Sequence, residues 1–429
     1  MDTKSIAMAA AIMLCLPSTG NAQGEEGQEA TPNPTPAYGR KALPSDTAFN
    51  PAISLILDGK YRNLSKDPAT WQLGGFIPAG QGVGPGDRGF GIDESELTLS
   101  ANIDPYFSGY FTAAISAENE VGVEEAHIQN IGFLPGLTIK FGRFFTALGY
   151  QNEQHSHSWD FADLPLLHQA FLGGQYSDDG IQVRYLAPTP VFLEFGIEGG
   201  RGSGFPGSAQ RKNGGNGAGA FMHIGGDIGE SHSYRVGLSY RQVRATNRGY
   251  KEVESTGTAI TDAFTGKSKL RGADFVWKWA PNGDPSTRNF KFQAEYFQRK
   301  EDGELAFNSG GVAGPTTGTG SYGSKQTAWY AQAVFAFMPR WRAAVRYDQL
   351  DSGEVSIGLV NNGTLGAADF PVLAAHNPKR STAMVDFSPS EFSRLRLQFA
   401  RDQSRFSETD NQVVLQYIMS LGAHGAHKF

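Results

Sequence analysis

Apolar and polar side chains alternate with a period of two through most of the chain after residue 50. In one clear segment Leu97, Leu99 and Ala101 alternate with Thr98 and Ser100. Similar alternation occurs at 53–62, 107–115, 234–241, 290–296, 341–347 and 413–419. This period is typical of a β-strand with one apolar and one polar face. The pattern therefore predicts a protein built almost entirely of strands.

The segments between these strands alternate in length. Short turns occur at 104–105, 134–136, 188–190, 229–231, 281–284, 338–339 and 388–390. Longer, mostly Gly-rich stretches occur at 63–90, 147–179, 202–217, 245–267, 300–324 and 352–377, with brief ones near 119 and 405. Short periplasmic turns, long outer loops and charged residues on the polar face favour a transmembrane barrel over a soluble β-sandwich. We predict an all-β, antiparallel transmembrane β-barrel of about 16 strands over residues 51–429.

The composition excludes other classes of protein. The chain has 429 residues with 54 Gly, 12% aromatic residues and only 19% charged residues, which fits poorly with a soluble helical domain. After residue 20 no apolar run approaches the roughly 20 residues that a membrane helix needs. The net charge of −6 gives no reason to expect nucleic acid as a partner.

The first 50 residues have the pattern of an export signal and a linker. Lys4 precedes the apolar run 6–16, and Gly20-Asn21-Ala22 is typical of a cleavage site. We expect a signal peptide over 1–22, which contains the lone Cys15, and a flexible periplasmic linker over 23–50. Phe429 resembles the terminal insertion signal of bacterial barrels. The expected location is the outer membrane of a Gram-negative bacterium.

Two parts of the chain resemble known porins. Residues 123–129 and 134–144 (VEEAHIQ and LPGLTIKFGRF) resemble the phosphate-selective porin O and P family. Residues 49–57 and 152–161 resemble a porin-like group whose members are sometimes labelled zinc-regulated outer-membrane proteins. The resemblance implies a β-barrel channel that forms a homotrimer. The family's dense arginine ladder is replaced here by a mixture of charges, so phosphate specificity is not expected.

The inferred lumen face carries many basic residues. They are Lys60, Arg62, Arg235, Arg241, Lys291, Arg342, Arg346, Arg394 and Arg396. Acidic residues such as Asp58, Glu96 and Glu295 share this face. One interpretation is a basic wall with a weak preference for anions. The other is that these charges pair with one another and only keep the lumen hydrated and rigid.

The connection at 147–179 carries the strongest local signal. It contains Glu153, His155, His157, Asp160, Asp163 and His168 among aromatic residues. We predict that it folds into the barrel and constricts the pore, since pore width and lining charge set which solutes pass. The alternative is a loop packed on the wall, with histidines that are simply hydrogen-bonded.

The same loop suggests a metal site. His155 and His157 are spaced i, i+2, and imidazole is a usual zinc ligand, so a zinc site at this pair is a hypothesis. His424 and His427, spaced i, i+3, are a second candidate pair, for which the favoured interpretation is simply the periplasmic end of a strand. No other cofactor is expected.

The expected function is passive diffusion of small hydrophilic solutes or ions through an outer-membrane porin. An enzyme is not expected, because the adjacent Ser156 and His157 would point to opposite sides of an extended segment and could not form a nucleophile–base pair. A structural or adhesive barrel and a zinc-linked uptake channel remain as alternatives. The expected partners are membrane lipid, solutes and further copies of the chain.

Overall fold

The computed structural model describes residues 51–80, 83–116, 120–208 and 213–422. The predicted signal peptide, the linker at 23–50, the pair His424 and His427, and Phe429 lie outside the described residues.

Seventeen strand segments form one antiparallel sheet. They are β1 (Ala52–Leu64), β2 (Gly89–Ile92), β3 (Ser95–Asn102), β4 (Phe107–Ile115), β5 (Val121–Asn130), β6 (Leu137–Phe145), β7 (Ser177–Leu186), β8 (Phe192–Gly200), β9 (Gly217–Ile228), β10 (His232–Val253), β11 (Ala259–Trp279), β12 (Asn289–Phe307), β13 (Gly318–Met338), β14 (Trp341–Ile357), β15 (Lys379–Ser390), β16 (Ser393–Gln403) and β17 (Asp410–Gly422). Both β2 and β3 pair with β1, with Asp93 and Glu94 between them, so they form one interrupted strand. The ring of sixteen strands closes where β1 pairs with β17. The predicted barrel is confirmed.

Short helical segments lie in the connections. The α-helices are α1 (Leu166–Leu172) and α2 (Gly358–Asn361), and the 3-10 turns are Pro68–Thr70, Gln151–Glu153, Ser156–Ser158, Pro281–Gly283, Ala367–Asp369 and Pro371–Leu373. Among the described residues, none of the helices is long and apolar enough to cross a membrane.

The barrel wall is uneven in height. Strands β3 to β9 have 8 to 12 residues, close to the roughly 9–11 that a transmembrane strand needs. Strands β10 to β14 have 17 to 22 residues. The loops predicted at 245–267 and 300–324 were wrong, because these residues continue the long strands and leave connections of only 254–258 and 308–317. Their alternation persists to the ends of these strands, with Tyr250 and Ile260 still pointing inward and buried.

The two faces of the strands differ as a membrane barrel requires. On β10, Leu238 and Tyr240 are 50% and 38% exposed on the outside, while Ser239 and Arg241 are 9% and 2% exposed on the inside. Apolar groups thus face outward and polar groups inward, the reverse of a soluble domain.

The lumen also contains an apolar core beneath the outer connections. Helix α1 packs with Leu73 and Phe76 from the first outer connection and with inward side chains of β10 to β14, among them Val243, Leu270 and Phe297. A second cluster joins the connection at 358–378 to β10–β13. The long connections therefore fold inward and bury apolar surface inside the barrel.

Candidate functional site: the inner loop and the lumen wall

The connection between β6 and β7, residues 146–176, is called the inner loop. Its backbone forms the two 3-10 turns Gln151–Glu153 and Ser156–Ser158 and then α1. Pro165 precedes α1, and Gly173 ends it with φ 71° while its N–H bonds the carbonyl of His168. A left-handed glycine is a common helix stop. All seven residues of α1 are buried.

The inner loop crosses the lumen from one wall to the other. Near its start, the backbone N–H of Ala147 donates to Glu198 Oε1 on β8 at 2.8 Å. Further on, the N–H of Ala162 donates to Gln398 Oε1 on β16, also at 2.8 Å. Strands β8 and β16 are eight positions apart in the ring of sixteen. They therefore lie on opposite sides of the barrel.

Two aspartates anchor the loop to the basic wall. Asp160 lies 2.5 Å from Lys291 Nζ and 3.3 Å from Arg342 Nη1. Asp163 lies 3.0 Å from Arg346 Nη2 and 2.7 Å from Arg380 Nη1. Burial raises the pKa of Asp160, but the cations beside it outweigh burial and bring it down to about 2. The same balance holds the pKa of Asp163 well below its usual range, so both are anionic at neutral pH.

Basic wall residues also bind the loop's backbone. Backbone carbonyls buried away from water need hydrogen-bond partners from the protein. Five loop carbonyls accept hydrogen bonds from wall cations: Ala162 from Lys60 at 2.7 Å, Trp159 from Arg396 at 2.9 Å, Asp163 from Arg346 at 2.9 Å, Leu164 from Arg380 at 2.6 Å and Ala170 from Arg299 at 2.9 Å. Sequence reasoning missed Arg299 and Arg380 in this role.

Each of the nine predicted basic wall residues has a carboxylate oxygen within 4.0 Å. The pairs are Lys60 with Asp58 and Asp93, Arg62 with Asp93, Arg235 with Asp274, Arg241 with Asp178 and Glu198, Lys291 with Asp160, Arg342 with Asp160 and Asp386, Arg346 with Asp163 and Asp348, and Arg394 and Arg396 with Asp386. Most of the wall cations thus have a carboxylate partner.

One region keeps an excess of positive charge. Lys291, Arg342, Arg394 and Arg396 share only Asp160 and Asp386 as carboxylate partners in the ion pairs above. We call these four residues the basic cluster. They lie near the starts of β12, β14 and β16, close to the short turns. The side chains of Lys291, Arg342 and Arg394 are 21–25% exposed, so these three cations are partly accessible to solvent.

Two strands bring glutamates to the predicted histidine pair. His155 Nδ1 lies 3.3 Å from both Glu96 Oε2 and Glu124 Oε2, and His155 Nε2 lies 3.0 Å from Glu125 Oε2. His157 Nδ1 lies 3.1 Å from Glu96 Oε1. These five residues are called the histidine–glutamate cluster. Burial lowers the pKa of His155, but the surrounding carboxylates outweigh it and hold the pKa well above its usual range.

A β-bulge explains why two consecutive glutamates reach this cluster. In the pairing of β4 with β5, Thr112 faces Glu125 while Ala113 faces Val123, so Glu124 is the extra residue. A bulge re-aims side chains that would otherwise alternate. The sequence signal was the adjacent acidic pair in a strand of period two.

The other two loop residues from the sequence analysis have packing or pairing roles. Glu153 accepts a hydrogen bond from Arg184 on β7. His168 is fully buried on α1, and its ring lies beside those of Phe297 and Tyr330. Burial and the charge of Arg346 lower the pKa of His168 to about 3, so its imidazole is neutral at physiological pH.

Comparison with known proteins finds a relative in sequence and several structures that are similar in fold. An uncharacterised protein of Aquifex aeolicus is 32% identical over 417 residues, which is 90% of this chain and 81% of that protein. No known protein-family model matches the chain, so the resemblance to phosphate-selective porins stays a prediction.

Three solved structures share the fold. They are a loop-deletion mutant of OmpT, an outer-membrane protein of Vibrio cholerae, OmpT in its trimer form, and an anion-selective porin from Comamonas acidovorans, with TM-scores of 0.53, 0.50 and 0.50. Each is 11% identical and aligns over 86% of this chain and 99% of its own. At this identity the likeness is one of fold.

Proposed function

This chain belongs to the same family as the Aquifex aeolicus protein, and we propose that it is an outer-membrane porin. It provides passive diffusion of small hydrophilic solutes or ions through the lumen. The inner loop constricts the path, and Glu153, His155, His157, Asp160, Asp163 and His168 hold it in place.

The crossing of the lumen by the inner loop is the observation that carries this proposal. A barrel whose only role is structural has no need of a loop held on opposite walls by ionic and backbone hydrogen bonds. Such anchoring fixes the cross-section at one level, and the narrowest section decides which solutes pass. The ion pairs and the five hydrogen bonds to loop carbonyls support this role, because they hold the loop to the wall at several points.

The basic cluster supports a weak preference for anions. Fixed charges in a wet pore act over a Debye length of about 8–10 Å at physiological salt. Among the nine predicted wall residues, the basic cluster is the one group in which cations outnumber their carboxylate partners and side chains are also partly exposed. We propose a preference for anions in general and not for phosphate, because the other wall arginines are paired with carboxylates and form no continuous row of free cations that could bind phosphate.

The uneven height of the wall supports a homotrimer. The mature chain, after cleavage of residues 1–22, would assemble in the outer membrane. Strands β3 to β9 form the lower side of the wall and carry outward apolar side chains such as Phe141, Ile181 and Ile197, so this side suits contact with further copies of the chain. The trimer form of the fold-related OmpT fits the same assembly. Molar mass by light scattering in detergent measures the number of copies.

The porin proposal is tested by reconstituting the purified protein into planar bilayers and recording single-channel current. Stepwise currents that scale with salt concentration, together with swelling of proteoliposomes in small sugars, support the proposal. A correctly folded barrel that gives neither current nor swelling contradicts it, and would favour a structural or adhesive role.

A further inference from the structure

We propose that Glu96, Glu124 and His155 form a binding site for a divalent transition-metal ion of the Zn²⁺ class. The site joins the inner loop to the wall at β3 and β5. It rests on the positions of these side chains and does not depend on conduction through the barrel.

The ligand atoms converge at the spacing that such an ion needs. Zinc binds imidazole nitrogen and carboxylate oxygen at about 2.0–2.2 Å, so two ligands of a tetrahedral ion lie about 3.4 Å apart. His155 Nδ1 is 3.3 Å from Glu96 Oε2 and 3.3 Å from Glu124 Oε2. The three ligand atoms lie within 4.8 Å of one another. Only a small movement would bring all three onto one ion, leaving a fourth position for water or solute.

Two of these atoms are incompletely satisfied. His155 Nδ1 and Glu124 Oε2 are buried and make no well-aligned hydrogen bond to any described residue, although His155 Nδ1 forms ion pairs at 3.3 Å with Glu96 Oε2 and Glu124 Oε2. Burying polar atoms without a partner costs free energy. The same two atoms point at each other and at Glu96, and a cation among the three would satisfy them together.

The surroundings of the three ligands match a metal site. Metal-binding histidines usually pass their second ring N–H to a carboxylate, which fixes the ring and its tautomer. His155 Nε2 has this partner in Glu125 Oε2 at 3.0 Å, which directs Nδ1 toward Glu96 and Glu124. Glu96 is in turn oriented by Ser156 Oγ, which donates to its Oε1 at 2.9 Å. Because of the bulge, Glu124 and Glu125 both reach His155, so Glu124 can serve as a ligand while Glu125 supports the imidazole.

The mixture of ligands selects the kind of ion. Calcium and magnesium are bound by oxygen ligands, whereas imidazole suits zinc, copper, nickel and iron. A site with one imidazole and two carboxylates therefore favours zinc over calcium. When bound, the ion would fix the loop at 155 to the side of the barrel formed by β3 and β5.

The experiment is calorimetric titration of the full-length protein in detergent with ZnCl₂, and separately with CaCl₂. We expect one Zn²⁺ per chain at this site and no comparable binding of Ca²⁺. The Glu96→Gln/Glu124→Gln variant should lose this binding, and Glu125→Gln should weaken it about 10- to 100-fold because only the supporting carboxylate is changed. Heat-dependent mobility on gels shows whether each barrel is folded. If the double variant does not fold, the isosteric Glu124→Gln single variant is titrated with zinc in its place.

Two matched controls separate this site from other histidines. His223 is buried with Nδ1 2.8 Å from Glu194 Oε2, so His223→Ala removes a similar pair and should leave zinc binding unchanged. His424→Ala/His427→Ala should also keep it. The proposal would be overturned if the parent bound no zinc, or if the Glu96→Gln/Glu124→Gln variant bound zinc as tightly as the parent. Loss of zinc binding in either control would also overturn it. Zinc binding by a barrel that carries no current would overturn the porin function alone.

Discussion

Arg380 Nη1 on β15 lies 2.7 Å from Asp163 Oδ2 on the inner loop, a contact made across the lumen from the strands that carry the loop. The same guanidinium donates from Nη2 to the carbonyl of Leu164 at 2.6 Å. One wall arginine thus binds both the side chain and the backbone of the loop. This double contact explains why basic residues on the wall and acidic residues in the loop occur together.

Replacing Asp163 by Asn should destabilise the anchored loop. Arg346 and Arg380, which are almost fully buried, would lose a shared carboxylate but keep Asp348 and Asp402. The expected loss is therefore that of hydrogen bonds to a charged group, about 1.5–3 kcal/mol. Unfolding in urea measures the change in the free energy of unfolding. Asp302→Asn is the matched control, because its pair with Lys300 is exposed and such pairs contribute at most about 1 kcal/mol. Equal effects of the two changes would show that Asp163 is not an anchor.

Removing charge from the basic cluster should shift ion selectivity toward cations. The Arg342→Ser/Arg394→Ser variant removes two partly exposed cations from the cluster, while Asp160 and Asp386 remain. The reversal potential in a salt gradient measures the shift. Arg401→Ser is the control, since Arg401 is exposed on the outer side of β16 and its loss should leave the potential unchanged. An unchanged potential in the double variant contradicts the proposed anion preference.

The ion pairs that hold the inner loop through Asp160 and Asp163 should break only in strong acid. The pKa of Asp160 is brought below the ordinary value of about 3.9 to about 2, so its stabilising effect is fully present above pH 4 and is lost as pH falls toward 2. We expect constant single-channel conductance from pH 6 to 5 and a rise between pH 4 and 2. The Asp160→Asn/Asp163→Asn variant should already show the higher conductance at pH 6. A parent channel with the same conductance at pH 6 and pH 2 would refute this role.

The barrel could be predicted because its signal is local. A period of two, as at Leu97–Ala101, needs no knowledge of distant partners, and alternating turn lengths give the direction of the strands. The ends of the long strands were not predictable, because Gly249, Gly266 and Gly303 resemble loop residues although they lie within paired strands. Pairing with neighbouring strands overrides the local preference of glycine for loops.

The candidate site was only half visible in the sequence. The loop residues were found because acids, histidines and aromatics cluster within one segment. Their partners are distant in sequence, so Arg380 and Arg299 could not be assigned to loop carbonyls. Glu124 and Glu125 belong to the segment that resembles porins, but only the bulge in β5 shows that both face His155. The spacing of residues along the sequence does not show that β3, β5 and the loop come together in space.

The most direct test of the central claim is the single-channel conductance of a barrel without the crossing part of the inner loop. Residues 153–163 are replaced by a short Gly-Ser linker, and the control shortens the outer connection 308–317 by removing residues 310–316. Strand pairing should be kept in both, because its hydrogen bonds lie outside these segments. The account predicts a higher conductance and passage of larger sugars for the first variant only. An unchanged conductance in a folded first variant, or an equal rise in the control, would contradict it.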